Sequence, residues 1–376
     1  MKIAIVYDVI YPYVKGGVEK RVWELAVRLT HRGHEVHLFG MKFWDGEDIL
    51  IHEGVFLHGV CPAQKLYVGG RRPIGQAIDF SLCIISPLMY EKFDIIDSQQ
   101  FPYFSCFSAK LISILRKTPL IITWHEVWGD YWYEYLGWKG FGGKITEQLV
   151  ARLTQNVIAV SESTKINLKS LGYHGNITIV PNGVDLKRIA STVSSDEKSD
   201  VIFVGRLIKE KHVDLLVRAF GILLSNQPEL RLLIIGEGPE QDIITKIIQE
   251  LSLEERITLK GFQNDHDKVI ERMKSAKVFV TPSTREGFGI TALEALACGI
   301  PVVTVNHPSN AIRDLITEKN GFTCSLSEKD LAETILLALQ RHTDMKNDCI
   351  ASASAFDWEK ITSDIERYYL SVIKAR

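Results

Sequence analysis

Two carboxylates, Glu286 and Glu294, stand eight residues apart around a Gly-Phe-Gly run formed by Gly287, Phe288 and Gly289. A carboxylate does not bind phosphate, but it accepts hydrogen bonds from hydroxyls, two at a time. The glycines precede a helix that begins near Ile290, and free amides at such a helix mouth form an anion site. A simpler assignment gives the two acids only electrostatic work at the helix N-terminus, worth under about 1 kcal/mol each. Cations stand elsewhere in the chain: Arg206 and Lys211, five residues apart in "VGRLIKEK", follow a strand-like run. Arg as a planar fork and Lys as a point charge suit the diphosphate of a nucleotide ligand, though the same residues fit a solvated basic loop. In "GEGP", Gly236 and Gly238 clear space for a flat base or its ribose, or only make a tight turn.

Gly16 and Gly17 lie in the first strand-to-helix loop, where glycines let backbone amides approach an anion or serve a turn that needs positive φ. The pair is not a G-x-G-x-x-G fingerprint, and no acid at the usual distance suggests a dinucleotide. His125, in "IITWHEV", ends a strand and would face a ligand cleft, or be structural. His31, His34 and His37 look metal-like, but Gly33 ends the helix between them, so a surface turn explains them better. Asp265, His266 and Asp267 mimic the acidic pair that holds a divalent metal, yet they open a helix, and N-capping is the simpler account.

These residues need elements to position them. "KIAIVYD", "HEVHLFG", "FDIIDSQ", "TPLIITWHE", "QNVIAVSES" and "ITIVPNGVD" read as strands, with "RVWELAVRLTHRG" an intervening amphipathic helix. The grammar restarts at residue 201 with "VIFVGRL", "LRLLIIGEGP", "RITLKGF", "AKVFVTPS" and "PVVTV", interleaved with helices. The polar, serine-rich "KRIASTVSSDEKSD" between the halves has a linker's composition. Each motif falls just after a strand, where parallel sheets bind ligands. With 376 residues, 46% hydrophobic and 24% charged, the chain suits two globular domains, and a net charge of -2 argues against a nucleic-acid binder. Six scattered cysteines imply reduced, buried thiols in a cytoplasmic setting. No apolar run reaches the roughly 18 to 20 residues of a membrane span, and Asp8 interrupts the opening run too early for a signal peptide.

Together, "GGVE", the histidine after a strand, "VPNGVD", "VGRL..EK", "GEGP", the Glu-x7-Glu stretch and the Trp of "FDWEKI" resemble the retaining nucleotide-sugar glycosyltransferases of GT-B architecture, the glycosyl transferases group 1. The resemblance covers nearly the whole chain. It implies an α/β fold of two Rossmann-like domains with parallel sheets facing a central cleft. Residues 1–185 would bind acceptor and 186–357 the donor, with the helix 358–376 packing back on the first domain. Arg206 and Lys211 would hold the donor diphosphate, Glu294 the ribose hydroxyls, and Glu286 those of the transferred sugar. The backbone of Gly287, Phe288, Gly289 and Ile290, with Gly236 and Gly238, would complete the donor site. Gly16 and Gly17 would approach the phosphates and acceptor, and His125 would contact the donor sugar. Fixed cations would then stabilise the leaving diphosphate, so no metal and no cofactor beyond the nucleotide-sugar substrate is expected.

The implied activity is that of a hexosyltransferase acting on a glycan or lipid-linked acceptor; a nucleotide-sugar 2-epimerase or a non-catalytic nucleotide-sugar-binding protein of the same fold are the alternatives. One departure concerns the loop after the second glutamate. Where relatives carry "GG-x-x-E", this chain reads "VNHPSNAIRDLI", with Asn310 near the expected acid. The segment "WHEVWGDYWYEYLGWKGFGGK" packs four of the seven tryptophans into the acceptor region, as core, sugar platform or interfacial contact. With Lys139, Lys144, Arg71, Arg72, Lys110, Arg116 and Lys117, it leads to an expectation of peripheral contact with the inner, anionic face of a membrane.

Overall fold

A computed structural model describes residues 1–66 and 72–375. The chain forms two compact units: Met1–Asn182 with Trp358–Arg376, and Gly183–Asp357. In the first unit the order is β1 (Lys2–Val6), α1 (Gly17–His31), β2 (Glu35–Lys42), β3 (Ile49–His52), β4 (Val55–Pro62), α2 (Ile74–Cys83), α3 (Ile85–Tyr90) and β5 (Ile95–Gln99). It continues through α4 (Phe104–Arg116), β6 (Leu120–Trp124), α5 (Tyr131–Leu136), α6 (Gly140–Ala151), β7 (Asn156–Ala159), α7 (Glu162–Ser170) and β8 (Asn176–Ile179). The sheet runs β3-β4-β2-β1-β5-β6-β7-β8. Every pairing is parallel except β3 with β4. That antiparallel edge departs from an all-parallel expectation. Its hairpin turns at Glu53 and Gly54, both with positive φ, which is the two-residue geometry that matches strand twist.

Right-handed crossovers place α1 on one face of this sheet and α2, α4, α6 and α7 on the other. The second unit holds α8 (Leu186–Ser191), β9 (Val201–Val204), α9 (Val213–Leu224), β10 (Leu232–Ile235), α10 (Gln241–Glu250), β11 (Ile257–Lys260) and α11 (His266–Ser275). It continues with β12 (Val278–Thr281), α12 (Ile290–Ala297), β13 (Val302–Val305), β14 (Gly321–Cys324) and α13 (Glu328–Ala353), before α14 (Trp358–Lys374) returns to the first unit. The second sheet is β11-β10-β9-β12-β13-β14, parallel throughout. Its order reverses direction between β9 and β12, the switch point at which doubly wound sheets bind ligands. On α14, Trp358, Ile361, Ile365 and Tyr369 are buried in the first unit's core. Arg32 at the end of α1 bonds Glu359 and Glu366 of the same helix.

The polar stretch after residue 185 is no free linker. Asp185 caps α8 by accepting from the Arg188 amide at 2.9 Å. Ser195 N donates to Glu271 O, and Ser275 Oγ to Glu197 O, so side chains and backbone of this stretch are spent on α11. All six cysteines are free thiols, four of them buried. Among the described residues no helix is long and apolar enough to cross a membrane.

His37 is not in a surface turn, as its sequence context suggests, but buried on β2 beside His58 of β4. The rings bond at 2.7 Å and stack on Phe56 and Phe39. Nε2 of His37 meets Glu35 at 2.9 Å, and Glu91 is close by. Among the described residues, Glu35, His37 and Glu91 form the one group spaced for a metal, and the Lys2 ammonium bonds both carboxylates, supplying the cation. Burial lowers the pKa of both histidines, that of His58 to about 4. Between about 4 and 6.5 the unfolded chain therefore binds protons that the folded chain refuses. Stability is full above the upper value and falls as pH drops through this window, by on the order of 2–3 kcal/mol. The urea midpoint should fall between pH 7 and 5, and His58→Phe should remove most of that fall; an equally steep fall in the variant would show that the pair is not its source.

Candidate active site

In the second unit the two loops flanking the switch point come together. Arg206 and Lys211 lie on the loop after β9, and Glu286 on the loop after β12. Thr284 N donates to Glu210 O at 3.0 Å, and His212 Nε2 meets Thr284 Oγ1 at 2.9 Å, so the loops are tied before their charges meet. Lys211 Nζ is in direct ion-pair contact with the Glu286 carboxylate. Arg206 is exposed on the same loop.

Gly289 has φ +96° and ends the loop as the cap of α12, where a Cβ would lie 2.3 Å from Ile312. No side chain caps this helix. Phe288 is buried with its ring 5.9 Å from that of Phe356, so its side chain is spent on packing. Glu294, one turn inside α12, is buried and bonds His266 Nε2 at 2.9 Å. Asp265 caps α11 by accepting from Asp267 N, and Asp267 pairs with Arg188 at 2.6 Å, which is the capping assignment of the Asp-His-Asp run. His266 as the partner of Glu294 was not legible in sequence, because it comes from a different helix.

Asn310 does not replace the missing acid as a ligand. It is fully buried, and its amide bonds Thr304 Oγ1, Val305 O and Ile312 N. Its loop pairs with the glutamate loop instead: Glu286 N donates to Ser309 O and Ala311 N to Glu286 O, both at 2.9 Å. Gly236 and Gly238 have a packing reason. Their ideal Cβ atoms would lie 1.9 Å from Gly205 O and 2.1 Å from Leu207 O, in the neighbouring loop that carries Arg206.

In the first unit, His125 follows β6 and is buried. Its backbone N donates to Gln100 Oε1 at 2.9 Å, and its Nε2 meets Gln99 Oε1 at 2.8 Å. Burial, with Arg21 nearby, holds its pKa well below the usual imidazole value, so the ring is neutral. Gly16 caps α1 in an extended conformation, so no positive φ demands a glycine there. Glu19 folds back so that its carboxylate lies 2.4 Å from where a Gly16 Cβ would be, placing an acid beside the Gly16–Gly17 amides.

Sequence reading missed Asp8, a buried acid at the end of β1. Burial pushes its carboxyl up to about 6, while Arg72 beside it, 2.5 Å away, acts in the opposite direction. Arg72 also lies over the Phe101 ring, so it faces inward rather than joining a basic surface; Arg71 lies outside the described residues. Of the clustered tryptophans, Trp124 and Trp132 are core and Trp128 packs on Trp132 at 4.5 Å, whereas Trp138 is 83% exposed.

The family description "Glycosyl transferases group 1" matches residues 186–355, and "Glycosyltransferase Family 4" matches 15–188. An N-acetylgalactosamine-N,N'-diacetylbacillosaminyl-diphospho-undecaprenol 4-alpha-N-acetylgalactosaminyltransferase of Campylobacter jejuni is 30% identical over 244 residues, 62% of this chain and 65% of that protein. The match thus spans slightly less than two thirds of that relative. The alpha-monoglucosyldiacylglycerol synthase of Streptococcus pneumoniae is 24% identical over 99% of this chain and 86% of its own. The sucrose-phosphate synthase structure from Thermosynechococcus elongatus shares the fold over the full length of both chains, with a TM-score of 0.84 at 20% identity.

The packing of the "GEGP" loop generates a stability test. Gly236→Ala combines a φ of +144° with a backbone clash, so it should cost about 3 kcal/mol or more of unfolding free energy. Chemical denaturation measures it; a loss below about 0.5 kcal/mol, ordinary for a surface site, would contradict the close loop packing.

Proposed function

We propose that the chain, which matches the glycosyl transferases group 1 over residues 186–355 and the glycosyltransferase family 4 over 15–188, transfers a sugar, with retention at the anomeric carbon, from a nucleotide-diphosphate sugar to a glycan or lipid-linked acceptor. The observation that carries this reading is the Lys211–Glu286 ion pair beside the uncapped mouth of α12. A departing diphosphate accumulates negative charge, and Lys211, Arg206 and the α12 amides are the groups that would stabilise it. With the leaving charge handled this way, the reaction needs no metal, and a chelator should leave turnover unchanged. Glu286, released by Lys211 as phosphate binds, would accept hydrogen bonds from sugar hydroxyls. Glu294, already held by His266, would accept from the ribose, and His125 would contact the donor sugar.

Two relatives support a lipid-linked acceptor, since one name specifies a diphospho-undecaprenol substrate and the other a monoglucosyldiacylglycerol product. The first unit supplies a surface for it. On the face opposite α1, α2 exposes Ile74, Ile78 and Leu82, and its neighbour α4 exposes Leu111, Ile114 and Leu115. On α6, Phe141, Ile145 and Leu149 point outward, next to Trp138. These rows repeat at three- and four-residue spacing on solvent-facing sides, so they are not core stripes. Lys110, Lys117, Lys139 and Lys144 lie among them, which suits an anionic bilayer rather than a neutral protein partner.

Glu286→Ala should lower transfer by about 100-fold or more while free nucleotide diphosphate binds as well or tighter, because Lys211 is left unpaired. Isothermal titration with UDP, GDP and ADP, beside a transfer assay, reads both; parallel loss of binding and transfer would refute the sugar-hydroxyl role. For the surface, the protein should float with anionic vesicles at low salt, and Trp138→Glu with Phe141→Glu should abolish flotation. Wild-type protein that stays at the bottom of the gradient would remove the membrane part of the proposal.

A further inference from the structure

A continuous hydrogen-bonded chain runs through the first unit from the last helix to His125. Tyr369 Oη of α14 donates to Asp97 Oδ2 at 2.5 Å. Thr123 Oγ1 donates to Asp97 Oδ1 at 2.8 Å, and Gln99 Nε2 donates to the same oxygen at 3.3 Å. Gln99 Oε1 then meets His125 Nε2 at 2.8 Å. Tyr369, Asp97, Thr123, Gln99 and His125 are all buried, so no member is free to exchange its partner for bulk water.

The chemistry of the groups fixes the direction of every proton. Burial raises the pKa of Asp97, while the hydrogen bonds from Tyr369, Thr123 and Gln99 and the nearby Arg21 guanidinium act against that rise. Gln99 donates its amide nitrogen to Asp97, so its amide oxygen is turned to His125. That oxygen in turn requires a proton on His125 Nε2. In a neutral imidazole the lone pair is then on Nδ1, which makes no hydrogen bond among the described residues. The second contact, Gln100 Oε1 to the His125 backbone, holds the residue from its other side.

We propose that Gln99 is a positioning residue for sugar transfer: anchored by Asp97 and Tyr369, it locks His125 as the Nε2–H tautomer and presents Nδ1 as an acceptor for a hydroxyl of the bound sugar. The inference rests on the reading that His125 contacts the donor sugar. It adds which ring nitrogen does so, and which residues impose the choice. Asp97 and Tyr369 act on His125 only through Gln99, so the last helix of the chain contributes to the site without reaching it. The charged and titratable groups surrounding the ring's partner include Arg21 on α1, Asp97 on β5, Cys106 on α4, and Tyr368 and Tyr369 on α14.

Ring-nitrogen NMR of the full chain with 15N-labelled histidine tests the assignment, with His125 identified by the signal lost in His125→Ala. The wild-type spectrum at pH 7 should show a protonated Nε2 and a bare Nδ1, unchanged on lowering the pH to 5.5. In Gln99→Met, which keeps length but removes the acceptor, that signature should give way to mixed tautomers, and kcat should fall about 10-fold or more with the donor KM little altered. A protonated Nδ1 in the wild type overturns the proposal, whatever the variants do and whether or not Gln99→Met folds. A Gln99→Met protein with wild-type tautomer and kcat overturns it too. Full transfer activity in His125→Ala, together with the expected tautomer, would overturn the sugar contact itself and with it the positioning role, leaving the Glu286 assignment untouched.

Discussion

A parallel sheet sends every strand's carboxyl end to the same edge, and the candidate site groups of each unit depend on that constraint. In the second unit the strand order reverses between β9 and β12, so the loops after these two strands flank the switch point. Lys211 and Glu286 come from those loops, 75 residues apart in sequence. Their meeting is set by strand pairing and by the Thr284–Glu210 and His212–Thr284 bonds, not by the charges themselves. In the first unit the same rule puts Asp8, Gln99, Gln100 and His125 at the ends of β1, β5 and β6, three neighbouring strands.

The charged groups at these edges are already partnered inside their own units. Lys211 holds Glu286, His266 holds Glu294, and Arg72 holds Asp8. Such pairs offset the desolvation of partly buried charges, and removing one member leaves the other exposed to that full cost. On the proposed function, a donor that brings its own diphosphate and hydroxyls would take over the partners of Lys211 and Glu286. Binding then exchanges interactions instead of burying new uncompensated charge, which favours a site that is preorganised and selective for a ligand carrying both groups.

The chain crosses between its units twice, and the second crossing matters to the first unit's interior. Trp358, Ile361, Ile365, Tyr369 and Val372 complete a core whose other buried members all precede residue 183. Burial of side chains of this size contributes roughly 1.5–3 kcal/mol each as an upper figure. Tyr369 does more than fill space, since its hydroxyl satisfies Asp97, an acid that would otherwise be strongly destabilising in the middle of a sheet. Core packing and the orientation of His125 thus share one residue.

Sequence by itself determined the features that depend on neighbours along the chain. Apolar runs located the strands carrying the site, Gly289 and Ile290 marked the start of α12, and Asp265 announced a helix cap, because periodicity and capping are local properties. Only the tertiary structure decided which polar groups meet. Asn310 turned inward to bond Thr304 and Val305, Arg72 turned to Asp8, and His37 found His58. The serine-rich segment after residue 185 looked like a linker until α11 took up its hydrogen bonds. A composition signal counts how polar a segment is and cannot state where its donors and acceptors find partners. Gln99 is the clearest case: a glutamine at a strand end carries no distinctive spacing, and its effect on His125 comes from a pairing of β5 with β6 and a helix more than 250 residues further on.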